Sequence, residues 1–438
     1  MCKKKDLKKS PILKILFFTK QKIKKGDHMF CVEQINKDML KKQTLDEYLK
    51  DTIRDFAIGL FREIMLVEQE EYTNRKRYEH VGSEGKFTVY RNGYRYRNYL
   101  TSYTGLIKLK VPRCRGGFFE SILFSKGVLT SKKMEDMIIH LWTDGNSYRD
   151  LREFVGKIYG AKIGLSLLNR IVSTVEKYVN EYHKKRIEHY YDAIFIDGLH
   201  ITVKEYPKRS NDEEILKKHK NAVILGVLGQ RREGKTIIKE IIDYRICRDE
   251  NKEEYGELLK NLKKRGLISE QIGVIVHDGE CSITAAIDNI YGKDKVKDQD
   301  CLIHRKRNIL LRVKSKTNKE ELGKDVWEVY SSATKAEFET KHKLVLKKWQ
   351  RKEPEAMEIF SNIRENQLTK YNFEIELHKD MHSNNPIERT FRELRRRINA
   401  IGIFETEKSA DRLIFLIVEN LNQRRGCKPT NGDLKFTH

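Results

Sequence analysis

Apolar and polar positions along this chain change period several times, and each change marks an element. Leu45, Leu49, Ile53, Phe56, Leu60, Ile64 and Val67 recur at helical spacing behind Thr44-Leu45-Asp46-Glu47, which has the form of a capping box. The spacing predicts a long amphipathic helix whose stripe serves either a core or pairing with a second copy. From 86 to 111 the period falls to two. Lys86-Phe87-Thr88-Val89-Tyr90-Arg91 runs into Asn92-Gly93, a strong hairpin-turn pair, and Tyr94-Arg95-Tyr96-Arg97 follows; a second hairpin ends in Leu106-Ile107-Lys108-Leu109-Lys110-Val111. Helical spacing returns from Ser131 to about Val179. It predicts helices around Met134–Trp142, from Ser147 to Ile158 and from Leu165, a helix-turn-helix-like arrangement.

From 192 onward strands and helices alternate. Strands are expected at 193–204, 221–229, 235–246, 272–278 and 297–302, and helices at 252–265, 282–291 and 304–314. Arg231-Arg232-Glu233-Gly234 joins the second and third strands as a hairpin. Three antiparallel strands, a helix, a strand, a helix and a strand follow the order of an α/β ribonuclease H-like core. Residues 315–380 read as an all-helical insertion with Trp327, Tyr330, Phe338 and Trp349 as core candidates. The expected organisation is a basic leader over 1–28, with Met29 as an alternative start, and a helical and β-hairpin DNA-binding region over 29–185. The first part of the core covers 190–314, the insertion 315–380, the helix that completes the core 381–425, and a tail 426–438.

Three acids stand at the ends of local patterns. Asp197 closes Ile194-Phe195-Ile196, and Asp278 closes Val274-Ile275-Val276-His277. Glu388 follows Asn385-Pro386-Ile387, where Asn385 can serve as N-cap and Pro386 as first helical residue. A lone Asp-Gly is an ordinary strand-end turn, and a lone acid can be a cap or a surface ion pair. Three carboxylates brought together from two strands and a helix make an oxygen-rich site for a hard divalent cation. Beyond Glu388, Arg389, Arg392 and Arg396 share a helix face with Arg395 beside them, either clamping phosphates or simply solvated. Arg91, Arg95, Arg97, Lys108 and Lys110, followed by Arg113 and Arg115, interleave with tyrosines. That suits phosphate contact with stacking, or a solvated sheet face.

Composition narrows the partners. The 438-residue chain is too long for one small module, and its 88 Lys+Arg against 64 Asp+Glu leave a net charge of +24. So large a surplus favours a polyanion, with nucleic acid the leading candidate. Attachment to a membrane is not expected, because no apolar run approaches the roughly 20 residues that span a bilayer, and Ile12–Phe18 is broken by Lys14. Seven cysteines, odd in number and scattered, fit a reduced cytosolic setting. Cys301-Leu302-Ile303-His304 has half of a zinc spacing, and only Cys281 and His277 are at hand to complete it.

Four segments in order carry a resemblance. Ile196-Asp197-Gly198, His277-Asp278-Gly279, Gln299-Asp300-Cys301-Leu302-Ile303-His304-Arg305-Lys306-Arg307-Asn308-Ile309-Leu310 and Asn384-Asn385-Pro386-Ile387-Glu388-Arg389 resemble the Mutator-type DDE transposases of bacterial insertion sequences. The resemblance runs from the Arg91-Asn92-Gly93-Tyr94 segment to about Arg424. It implies that Asp197, Asp278 and Glu388 are the catalytic triad and that Cys301 and His304 are the family's Cys-x-x-His signature, to which it assigns no definite role. Leu302 stands where relatives often carry an aromatic residue. Two Mg²⁺ (or Mn²⁺) ions are implied, Asp197 bridging both, Asp278 holding one and Glu388 the other. The implied partners are double-stranded DNA, as terminal inverted repeats and target, and further copies of the chain in a homodimer or higher oligomer. The implied setting is the cytoplasm of a bacterium or archaeon, at the nucleoid. Two other readings stay open: a domesticated relative that only binds DNA as a regulator, and a nuclease of the same fold without strand transfer.

Overall fold

The computed structural model describes residues 45–76, 79, 89–124, 128–205 and 218–430. The leader over 1–28, Met29, Thr44 of the capping box, Lys86–Thr88 and the tail beyond 430 lie outside them. The described residues form two compact units, one from Met1–Ile139 with Tyr148–Leu168 and one from His140–Ser147 with Asn169–His438.

The first unit is built on α1 (Leu45–Thr73) and an antiparallel pair, β1 (Tyr90–Thr101) and β2 (Gly105–Arg115). Alternation along β2 works as expected of a one-sided sheet. Ile107, Leu109 and Val111 are buried with Met65 of α1 and Phe124, while Lys108 and Lys110 face outward. The stripe of α1 is covered only in its second half; Leu49, Ile53 and Phe56 remain exposed.

One expected turn is corrected. Asn92-Gly93 does not reverse the chain but lies inside β1, where the pairing register shifts between Arg91 and Tyr94. Gly93 adopts φ +63°, a conformation that serves a bulge as readily as a hairpin turn. The reversal comes at Ser102-Tyr103-Thr104, where the Thr101 hydroxyl accepts the backbone N–H groups of Tyr103 and Thr104. The helices α2 (Lys132–Thr143), α3 (Tyr148–Tyr159) and α4 (Leu165–Ser173) stand where the periodicity put them, followed by a short α5 (Glu176–Tyr182).

The second unit is a mixed α/β structure. Its strands are β3 (Tyr191–Glu205), β4 (Lys218–Glu233), β5 (Thr236–Cys247), then β6 (Ile272–His277) after α6 (Lys252–Lys264), and β7 (Lys297–Asp300) after α7 (Cys281–Tyr291). The sheet order is β5-β4-β3-β6-β7, antiparallel through the first three and parallel from β3 to β7. Connections explain this split. A tight hairpin joins β4 to β5, whereas each helical crossover returns the chain parallel. One face is sealed by α6 and α7, whose Leu258, Leu259, Leu262, Ile283 and Ile287 pack on Ile194, Ile196, Leu225 and Val227.

After β7 the chain is helical: α8 (Leu302–Leu311), α9 (Lys316–Tyr330), α10 (Lys335–Trp349), α11 (Pro354–Ser361) and α12 (Ile375–Met381). These helices have a core of their own. It buries Tyr330, Phe338 and Trp349 as expected, with Trp327 only partly covered. Then α13 (Asn385–Ile401), a two-residue strand β8 (Ile403–Phe404) and α14 (Glu407–Arg424) complete the unit. Asn422 of α14 both donates to and accepts from the Ile241 backbone, meeting the groups freed by the irregularity in β5.

Candidate active site

Strand register explains the spacing of the first two acids. β3 pairs with β6 as Ala193↔Val274, Ile194↔Ile275 and Phe195↔Val276, a constant offset of 81. The same offset separates Asp197 from Asp278 (278 − 197 = 81), so the two carboxylates stand at matched heights. Asp278 follows the end of β6 as expected, but Asp197 does not end its strand, because β3 runs on in its pairing with β4 to Glu205. Both are half-buried.

Glu388 reaches them because a glycine leaves room. Asp197 lies opposite Gly226 across the antiparallel β3–β4 pair, so the two share a sheet face. A Cβ on Gly226 would stand 2.8 Å from the Phe391 ring and 3.5 Å from Ile387. The helix α13 is therefore seated on the Asp197 face, with Glu388 in its first turn. The N-cap is corrected by one residue. Asn384, not Asn385, holds that position, and its side chain caps nothing in the helix but donates to the Ile196 carbonyl at 3.0 Å.

The electrostatics of this corner are those of uncompensated negative charge. Burial pushes the Asp197 carboxyl up to about 7; the Gly198 N–H opposes this, and the charges of Asp278, Glu388 and Glu250 add to it. Glu250 is an acid that no sequence pattern singled out. Its carboxylate accepts the Tyr255 hydroxyl at 3.0 Å and stands 3.4 Å from His200 Nε2. No strand-end run marks it, since it sits in the short link between β5 and α6.

The Cys-x-x-His segment differs from expectation only at the strand end. β7 stops at Asp300 and the helix starts two residues early, so Cys301 is the N-cap residue of α8, and His304 sits on its first turn as expected. His304 Nε2 stands 3.5 Å from Glu388 Oε1, and Cys301 is buried beneath. His277 is occupied by the Gly279 N–H and Asp298, so the conceivable zinc set does not assemble. Asp300 is buried, and neither of its oxygens has a hydrogen-bond partner. Among the described residues no three His, Cys, Asp or Glu side chains are close enough to hold an ion as they stand. Asp278 and Glu388 nonetheless lie near enough to add to the raised proton affinity of Asp197, and carboxylate oxygens are donors of the kind that Mg²⁺ or Mn²⁺ prefers.

A family model for transposases of the Mutator family matches residues 29–425. The chain belongs to that family. It is 24% identical over 403 residues to the transposase of insertion sequence element IS905 from Lactococcus lactis, covering 92% of this chain and 96% of that one. It is 27% identical over 389 residues to the transposase of IS256 in transposon Tn4001 from Staphylococcus aureus, covering 87% and 93%. A Drosophila P element transposase strand transfer complex overlaps 68% of this chain and 67% of that one at 13% identity and a TM-score of 0.27, a likeness too slight to bear on the fold.

The transposase's basic candidates fall into two groups. Arg91 and Arg97 are engaged inside their own unit, Arg91 donating to the Arg75 carbonyl at 2.7 Å and Arg97 to Phe124 and Val128 carbonyls. Arg95, Lys108 and Lys110 are exposed, Lys108 over the Tyr96 ring at 4.8 Å and Lys110 over Tyr94 at 4.6 Å. In the other unit Arg389, Arg392, Arg395 and Arg396 are all exposed on α13. Arg396 is paired with Glu393 at 3.2 Å, and the buried Arg397 shares that acid at 3.3 Å. No helix among the described residues is long and apolar enough to cross a membrane.

Proposed function

We propose that this Mutator-family transposase binds the terminal inverted repeats of its element, cuts the ends and joins the freed 3′ hydroxyls to target DNA, with Asp197, Asp278 and Glu388 as catalytic acids. The observation that carries this reading is the matched height of Asp197, within β3, and Asp278, just past β6, under the helix that bears Glu388. The sheet order, three antiparallel strands followed by two parallel ones, supports reading the unit as a ribonuclease H-like core, and the separately packed α8–α12 helices support reading them as an all-helical insertion in it.

Two divalent ions, when bound, supply a nucleophilic hydroxyl and neutralise charge on the phosphate and leaving oxygen. The residues that would hold them are Asp197, Asp278 and Glu388. Asp197 must lose a proton held up to about pH 7 before it can act as a ligand. Exposed arginines along α13 grip the phosphates flanking the scissile bond and hold it in line, while the Tyr94–Lys110 face of the hairpin binds the backbone of the element end. The residues over 29–185 thus serve mainly for DNA binding, and two or more copies act together on the two ends.

A labelled element end incubated with the full chain, target plasmid and Mg²⁺ tests this directly. Joined product supports transposition. Cut ends without joining would favour a nuclease, and bound but uncut ends a regulator.

A further inference from the structure

We infer that Asn384 is a positioning residue that locks the three acid-bearing elements into one register, with Cys301 as its partner. The inference rests on the triad assignment above. Asn384 is fully buried, yet it is polar and lies outside any regular element. Its three bonded groups each reach a different carrier of an acid. The side-chain Nδ2 donates to the Ile196 carbonyl at 3.0 Å, one residue before Asp197. Its carbonyl accepts the Glu388 N–H at 3.0 Å, setting the first turn of α13. Its own N–H donates to Cys301 Sγ at 3.3 Å.

Cys301 carries the link to the third acid. Its N–H donates to the His277 carbonyl at 2.6 Å, one residue before Asp278. A neighbouring bond, from the Leu302 N–H to the His382 carbonyl at 2.9 Å, holds the Cys301 segment to the Asn384 segment. The strand offset continues the pattern. β6 pairs with β7 as His277↔Asp300, which places Cys301 alongside Asp278. One asparagine and one cysteine therefore connect residues 196, 277 and 388.

The Asn384 Oδ1 atom is buried without a partner. An unpaired buried amide oxygen is destabilising, so packing alone would favour an apolar residue of equal volume. The amide is explained by what its other end holds. Loss of that grip lets α13 shift against β3, and outer residues that orient ligands typically govern metal affinity by about tenfold to a hundredfold.

The test uses the full chain carrying Asn384→Leu, which keeps volume but removes the donor, and a pair at the partner position, Cys301→Ser and Cys301→Val. Affinity for Mn²⁺ alone is measured by titration calorimetry, and amide exchange is followed at residues 385–389 and 196–198. The expected results are Mn²⁺ binding weakened about tenfold or more in Asn384→Leu and faster exchange at both segments, with exchange elsewhere in the sheet unchanged. Cys301→Ser, which keeps an acceptor, should stay near wild type, while Cys301→Val should follow Asn384→Leu. Wild-type exchange at both segments in Asn384→Leu overturns the inference, as does Cys301→Val behaving like Cys301→Ser. If Asn384→Leu does not fold, the cysteine pair decides alone. A wild-type chain that takes up no Mn²⁺ defeats the metal reading of the triad, and the exchange measurements still decide the brace.

Discussion

His304 Nε2 lies 3.5 Å from Glu388 Oε1, so the histidine of the Cys-x-x-His segment stands against the third acid of the proposed triad. The two come from helices that the sequence separates by 84 residues (388 − 304). The other ring nitrogen of His304, Nδ1, is buried without a partner, so Glu388 is the polar neighbour that the structure gives this ring. His304→Ala should leave binding of element ends unchanged and lower cleavage about tenfold by loosening Glu388. Cleavage at the wild-type rate would reduce His304 to a packing residue.

Direct loss of a triad acid should be far more severe. Asp197→Asn, Asp278→Asn and Glu388→Gln each keep shape while removing the charge that attracts a cation. Cleavage and joining should fall by at least about a hundredfold, the scale of losing one preorganised electrostatic group, with end binding intact. Cleavage in Mg²⁺ at or near the wild-type rate by any one variant removes that residue from the triad.

The disfavoured charge at Asp197 gives a stability signature that needs no DNA. Its carboxyl is raised from 3.8 in the unfolded chain to about 7 in the fold, chiefly by burial. A group raised in this way binds its proton more tightly when folded, so the fold is favoured below about pH 4 and loses that advantage as pH climbs through about 7. Asp197→Asn should therefore melt higher than wild type at pH 8 without divalent ions, by a few kcal/mol at most. The two should converge near pH 4. Equal melting at pH 8 would show that the carboxylate is well solvated.

The places of Asp197 and Asp278 were legible in the sequence because buried strands carry strong local patterns. Ile194-Phe195-Ile196 and Val274-Ile275-Val276 are continuous apolar runs, as strands covered on both faces must be, and each acid is the first acidic residue after its run. Asp278 follows the end of β6, whereas β3 runs on past Asp197 to Glu205. The Asn92-Gly93 turn failed because positive φ fits a bulge and a reversal alike, and only the distant partner strand decides between them. Asn384, Glu250 and the His304–Glu388 pair were invisible for a related reason. Each depends on which segments meet in space, and no periodicity reports that.

On the hairpin, geometry separates bases that the sequence treated alike. Lys108 and Lys110 lie over tyrosine rings on the exposed face, whereas Arg91 and Arg97 hold backbone carbonyls. Replacing both lysines by alanine should reduce the dependence of log K on log salt by about 0.9 for each phosphate that is no longer neutralised, whatever the DNA sequence. Arg91→Ala and Arg97→Ala should instead lower the melting temperature and leave the salt slope alone. The opposite pattern would place the DNA on the other face of the sheet.

The arginines beyond Glu388 divide in the same manner. Arg392 and Arg395 lie four and seven residues past the glutamate (392 − 388 and 395 − 388), one and two helical turns along its own face, and both are exposed. Arg396 is turned toward Glu393, which it shares with Arg397. Arg392→Ala with Arg395→Ala should therefore slow cleavage on every DNA sequence alike, by about tenfold or more if they hold the scissile phosphate in line, and should flatten the salt dependence. Arg396→Ala should change little, since an exposed ion pair of this kind contributes about 0–1 kcal/mol. Comparing single-turnover rates of the two variants on matched and scrambled ends decides the matter. A clamp predicts a large, sequence-independent loss for the first and near wild-type rates for the second. If Arg396→Ala were the slower enzyme, the DNA would have to approach α13 from the Glu393 side, and a substrate path along Arg392 and Arg395 would be wrong.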